Sequence, residues 1–168
     1  DSVSGDMSFL NTFPTAGNIT LCQQIQSGLN TDFPASASYF FRTDLLFSIP
    51  QSFCGFPVGD YPLRIWCAYN GTSYYFSEPM VVYRVNHSVS YMTSISQNKK
   101  KYCRHILGMC RLWKMIDNFT NKEFHDIFSA KIDDCIYGIC TTYNPEYVTK
   151  EELEQFDINK VCRCFDFI

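Results

Sequence analysis

From residue 17 to residue 85 the apolar positions tend to recur at every second residue. In YPLRIWCAY (61–69), Tyr61, Leu63, Ile65, Cys67 and Tyr69 fall on one side and Arg64 on the other, the alternation of a half-buried strand. SYFFRTDLLFSI (38–49) sets Phe41, Thr43, Leu45, Phe47 and Ile49 on one face, and GNITLCQQI (17–25) is a further β-rich run. Asn70-Gly71 then turns the chain and SYYFSEPMVVYRV (73–85) returns. Both central residues of a type I′ turn need positive φ, so this dipeptide is a strong hairpin signal. Pro79 marks a bulge or an edge in the returning strand.

The period changes after residue 99. Tyr102, Ile106, Met109, Trp113 and Ile116 recur at three- and four-residue steps, with Lys100, Arg104, Arg111 and Lys114 on the other side. Thr120-Asn-Lys-Glu123 and Thr149-Lys-Glu-Glu152 both match a capping box, leading into FHDIF and LEQF. The stretch HSVSYMTSISQNKKK (87–101) is Ser-rich and polar toward its end and reads as the linker. The expected fold is mainly β with a helical, disulfide-rich C-terminal region. An antiparallel sandwich covers residues 1–88, and short helices in a cysteine-rich region cover 89–168.

Composition narrows the class. Net charge is −3 and charged residues make up 18%, so no basic field recruits nucleic acid. No run approaches the roughly 18 to 20 apolar residues a membrane helix needs. No charged-then-apolar leader precedes Asp1, and the expectation is a mature or trimmed soluble piece. Nine cysteines, Cys22, Cys54, Cys67, Cys103, Cys110, Cys135, Cys140, Cys162 and Cys164, fit oxidised, stapled structure better than reduced thiols. The spacing lacks the Cys-x-x-Cys of a zinc site, and neither a metal nor a cofactor is expected. Cys103 and Cys110 lie two helical turns apart, about 10.5 Å, beyond the reach of a bridge. Each then pairs elsewhere, most simply with Cys135 or Cys140 and with Cys162 or Cys164. The odd count leaves one thiol free or bridged to a second chain as a disulfide-linked dimer. Asn18, Asn70, Asn86 and Asn118 each open an Asn-x-Ser/Thr acceptor. Cysteines and acceptors together place the chain outside the cell, secreted or on the extracellular face of a membrane.

The cysteine in GNITLC, the GDY at 59–61, the cysteine in RIWC and the hairpin return together resemble an immunoglobulin-like domain over the N-terminal half. The resemblance implies two packed sheets with Cys22 bridged to Cys67. Cys54 is a competing partner, no tryptophan follows Cys22 at the family's usual distance, and the subfamily stays open.

Three histidines limit the chemistry. His125-Asp126 is similar to the His-Asp pair of secreted phospholipases A2, without that family's double cysteine before the histidine or its glycine-rich calcium loop. Neighbours on a helix project about 100° apart, so the pair reads as an exposed polar face and the chain as a non-enzyme. His87 and His105 read as surface residues, and no Gly-x-Ser-x-Gly, His-Glu-x-x-His or phosphate loop occurs. Binding is the more economical use of these residues. Lys100, Arg104, Arg111 and Lys114 suit an acidic partner such as a sulfated glycan or an acidic protein face, and Tyr69, Tyr74, Tyr75 and Phe76 are the aromatic kind that anchor interfaces. A sugar on Asn70 would cover the hairpin tip. The expected function is recognition of an extracellular or cell-surface protein, as a receptor, an adhesion module or an immune-modulating ligand. The helical appendage points toward a pathogen-encoded version. The alternatives are a lipid or small-ligand carrier using the sandwich interior, and a small secreted hydrolase that depends on His125.

Overall fold

The computed structural model describes residues 16–30, 36–82, 90–141 and 146–156. Cys162, Cys164, Asn86 and His87 lie outside them. The chain divides into two compact units, Asp1–His87 and Ser88–Ile168.

The first unit is helical where alternation predicts strands. The β-structure among its described residues is one antiparallel pair, β1 (Gly17–Ile19) on β2 (Ser73–Tyr75), in the register Gly17↔Tyr75, Asn18↔Tyr74 and Ile19↔Ser73. There is no sandwich among the described residues, and the immunoglobulin-like expectation is overturned. GNITLCQQI leaves β1 at Thr20. There a capping box begins α1 (Leu21–Leu29): the Thr20 hydroxyl accepts from Gln23 N–H at 3.2 Å and Gln23 Oε1 from Thr20 N–H at 2.9 Å. Two N-terminal donors are satisfied reciprocally, which strand geometry does not offer. SYFFRTDLLFSI forms the short helix α2 (Thr43–Phe47), opened by an exposed Arg42–Asp44 ion pair. YPLRIWCAY lies in α3 (Asp60–Tyr69), where Pro62 falls in the first turn and its missing N–H costs nothing. Asn70-Gly71 ends this helix in place of turning a hairpin, and Asn70 Nδ2 donates to Trp66 O at 2.9 Å.

The core of this unit is α1 packed on α3. Ile25 and Ile65 are fully buried, with Leu29 and Tyr61 beside them. Gly28 makes the close approach: a Cβ there would overlap the Tyr61 ring. The Tyr61 hydroxyl donates to Ile25 O at 3.4 Å, and the buried Arg64 donates to Gln24 O at 3.1 Å. Arg64 also lies 5.5 Å over the Tyr61 ring and bonds the Tyr39 hydroxyl. One cation thus joins α1, α3 and the segment before α2. Trp66 fixes α2 by donating to Leu45 O at 2.9 Å and packs edge-to-face on Phe53.

The second unit follows the helical period more closely. Ser90 caps α4 (Tyr91–Ser96), inside the stretch expected to be a linker, and Asn98 caps α5 (Lys99–Phe119). Cys103, Leu107, Cys110, Trp113 and Ile116 form the buried seam of α5, whereas Tyr102 is exposed. α6 (His125–Thr141) packs on that seam through Phe128, Ile136, Ile139 and Cys140. Thr120 caps the end of α5, and its hydroxyl donates back to Ile116 O, so no capping box opens α6 there. The turn is a Schellman motif: Lys122 N–H bonds Asp117 O at 2.8 Å and Asn121 N–H bonds Asn118 O at 3.1 Å, with Asn121 at φ 52° and Lys122 at φ 61°. The Thr149 box does form, and opens α7 (Lys150–Leu153). Each fully buried aliphatic side chain contributes about 1.5–3 kcal/mol, against about 1 kcal/mol at most for an exposed ion pair. The apolar seam therefore holds the unit.

The disulfide expectation is also corrected. Cys22, Cys54, Cys67, Cys103, Cys110 and Cys135 are free thiols. Cys22 and Cys67, the pair implied by the immunoglobulin-like resemblance, sit on α1 and α3, and Cys54 is exposed. Cys110 meets Cys135 across α5 and α6 as a hydrogen-bonded thiol pair.

Candidate functional site: a cationic groove on α5

Arg104, Arg111 and Lys114 share one face of α5, and the segment 146–156 lies along it. Val148, Leu153 and Phe156 are buried, anchoring the segment in the unit's core. Its polar atoms meet the cations in turn. Arg104 pairs with Glu152, whose other oxygen completes the α7 capping box at 3.0 Å from Thr149 N–H. Arg111 Nε donates to Gln155 Oε1 at 3.3 Å, and Lys114 Nζ donates to Gln155 O at 2.9 Å. The Lys114 ammonium also sits 6.0 Å from the Phe156 ring centre, within cation–π reach.

Past Gln155 the face opens into a groove of about 340 Å³, lined by Arg111, Lys114, Met115, Asn118, Gln155 and Phe156. Two cations above an apolar floor suit an anionic group attached to an apolar body. Guanidinium in particular forks onto carboxylate with two parallel bonds. Lys100 lies one turn before Arg104 and is exposed. The basic residues chosen from sequence thus share a helix, but Arg104 is engaged by Glu152, and only Arg111 and Lys114 reach the groove. Met115, Gln155 and Phe156 escaped the sequence reading. The Thr149 box gave the one usable signal, since it announces a helix that must bury Leu153.

The aromatic candidates lie in the first unit. Tyr74 and Phe76 stand together, 55% and 56% exposed, with ring centres 4.9 Å apart. Tyr69 is at the end of α3, and Tyr75 is half-buried on β2. Asn18 on β1 and Asn70 at the end of α3 are exposed, whereas Asn118 is exposed on helix α5.

His125 is paired differently from its sequence neighbour. Its Nδ1 lies 2.8 Å from Oδ2 of Asp117, a carboxylate 8% exposed against 54% for the imidazole. The contact spans the α5–α6 turn, and Asp126 takes no part in it. Elsewhere, burial pushes the Tyr39 hydroxyl up to about 12 and draws the Arg64 guanidinium down. The Cys110 thiol is raised because it donates to Cys135 and because it is buried, and Cys135 is lowered by accepting that bond. Among the described residues no cluster of His, Cys, Asp and Glu could hold a metal ion. No helix among them is long and apolar enough to cross a membrane.

No family model, curated protein or solved structure shows a significant match to this chain.

Proposed function

We propose that the chain is an extracellular glycoprotein module that works by protein recognition, taking an acidic side chain of its partner into the α5 groove. The carrying observation is the pairing of Arg111 and Lys114 over Met115 and Phe156. Long-range steering by this charge favours an acidic partner face and makes association fall with salt. The reading requires Asn118 to be bare. Asn118 lies within helix α5, and the Thr120 hydroxyl of its acceptor motif is buried against Ile116 O, out of reach of a modifying enzyme. The carrier alternative loses its site, because the sandwich whose interior it needed does not form among the described residues.

The test is titration of labelled, secreted chain on living cells. Saturable binding that unlabelled chain displaces is expected, lost in Arg111→Glu and Lys114→Glu and retained in Lys99→Glu, outside the groove. Binding unchanged by either groove reversal, or a sugar on Asn118, refutes the assignment.

A second reading, hydrolysis at His125, has the Asp117 contact in its favour. A buried carboxylate that fixes one ring nitrogen leaves the other able to take a proton from water. It requires turnover on a panel of fluorogenic esters and loss of that turnover in His125→Gln. A wild-type rate equal to buffer removes it.

A further inference from the structure

Tyr74 on β2 and Phe76 just past it form an exposed aromatic pair, and the register sets Asn18 directly opposite Tyr74. Directly opposed residues of an antiparallel pair project from the same face, with Cβ atoms about 4.5–5.5 Å apart. The burial pattern agrees: Asn18 and Tyr74 are exposed while their neighbour Ile19 is buried. Asn18 also opens the acceptor Asn18-Ile19-Thr20. We infer that Asn18 carries an N-linked glycan whose first N-acetylglucosamine stacks on the Tyr74–Phe76 pair.

This inference rests on the extracellular reading above, which supplies the modifying machinery. The donor is a lipid diphosphate-linked oligosaccharide. Asn18 Nδ2 bonds to the first sugar carbon, the bond from that carbon to the diphosphate oxygen breaks, and the amide proton departs with the released diphosphate. The sugar then meets a surface already built for it. Pyranose C–H bonds carry a slight positive charge and an aromatic face a negative one, the attraction that governs aromatic edge-to-face packing. The two rings stand 57° apart, so the sugar lies flat on only one of them, and Tyr74 is the one directly opposite Asn18. The aromatic pair is thereby covered from within the chain, which moves partner contact away from this sheet.

The other described acceptors lack this neighbour. Asn70 is spent at the end of α3, where its Nδ2 donates to Trp66 O, and Asn118 lies on α5 among Arg111, Lys114 and Met115.

The experiment uses full-length chain secreted from eukaryotic cells, trimmed enzymatically to one N-acetylglucosamine per site and mapped by mass spectrometry. Asn18→Gln is the unglycosylated reference, because substituting Thr20 would also break the α1 cap. Urea unfolding is compared for both forms with Tyr74 intact and as Tyr74→Leu. The sugar is expected to shift the folding equilibrium about fivefold when Tyr74 is present, the size of a packed aromatic contact, and not in Tyr74→Leu. The N-acetyl methyl proton is expected upfield by ring-current shielding, returning to the free-sugar position in Tyr74→Leu, a readout that needs only folded protein. An occupied Asn18 with neither coupling nor shielding overturns the stacking. A bare Asn18 beside an occupied Asn70 overturns the inference and leaves the extracellular reading standing. Bare asparagines throughout overturn both.

Discussion

Replacing Gly28 with alanine sets two effects of opposite sign against each other. Alanine is favoured over glycine inside a helix by about 1 kcal/mol, so on an open surface the substitution would stabilise α1. At Gly28 the new methyl overlaps the ring of Tyr61. That ring is 2% exposed, is held by its bond to Ile25 O and has the Arg64 guanidinium on its face, so it has nowhere to move. Overpacking of a filled core costs about 1–3 kcal/mol. The two terms leave a net loss of about 0–2 kcal/mol, toward the upper end because Gly28 lies in the last turn and gains less from propensity. Two compact units make one global transition a poor measure. Trp66 fluorescence in a Trp113→Phe background reports on the first unit alone. Gly28→Ala is expected to move that unit's urea midpoint down. The same substitution in Tyr61→Leu is expected to cost nothing or to stabilise, because the obstructing ring is gone. A Gly28→Ala variant that is more stable than its parent refutes the packing of α1 on α3 described above.

Three further outcomes follow from particular contacts. Burial holds the His105 pKa below the ordinary 6.5, and its Nδ1 lies 3.0 Å from the Tyr91 hydroxyl. The folded state binds fewer protons than the unfolded one, so this stabilisation is complete above 6.5 and is lost as pH falls through the lower folded value. Corrected amide exchange in α4 should therefore quicken as pH falls below 6.5, and His105→Phe should remove the pH dependence. Lys122 holds positive φ without being glycine. Lys122→Gly should raise the second unit's stability by about 0.5–1 kcal/mol in urea, with Asn121→Gly gaining less, since asparagine tolerates that region. Cys135 should be alkylated by iodoacetamide well before Cys110, because it accepts the bond that Cys110 donates and is the less buried of the two. Equal rates would contradict that donor assignment.

The second unit was largely legible because a long helix repeats its pattern. In the first turns of α5 the stripe is offset by one residue, as Cys103 and Leu107 show against exposed Tyr102, whereas Met109, Trp113 and Ile116 are buried where the period puts them. The first unit misled because short apolar runs fit both periods. Tyr61 and Ile65 are two steps of an alternating strand and also one turn of a helix, and here the helix buries them both. Two local signals distinguished the cases. Thr20 and Gln23 spell a capping box, and buried Arg64 sits on the helix face beside Tyr61, where alternation would expose it. The Asn70-Gly71 pair serves helix endings as readily as hairpins. The groove was half legible. Its cations recur along α5, but its floor depends on Phe156, brought there by a segment about forty residues away in the chain, and no local pattern encodes that approach.

The central claim is that the α5 groove is the recognition surface, and a photo-crosslinking amino acid in place of Met115 tests it most directly. On living cells the secreted chain is expected to yield one defined cross-linked partner from this position, and to lose it when Arg111→Glu is added. No adduct from position 115, or an adduct that survives Arg111→Glu unchanged, would contradict the account.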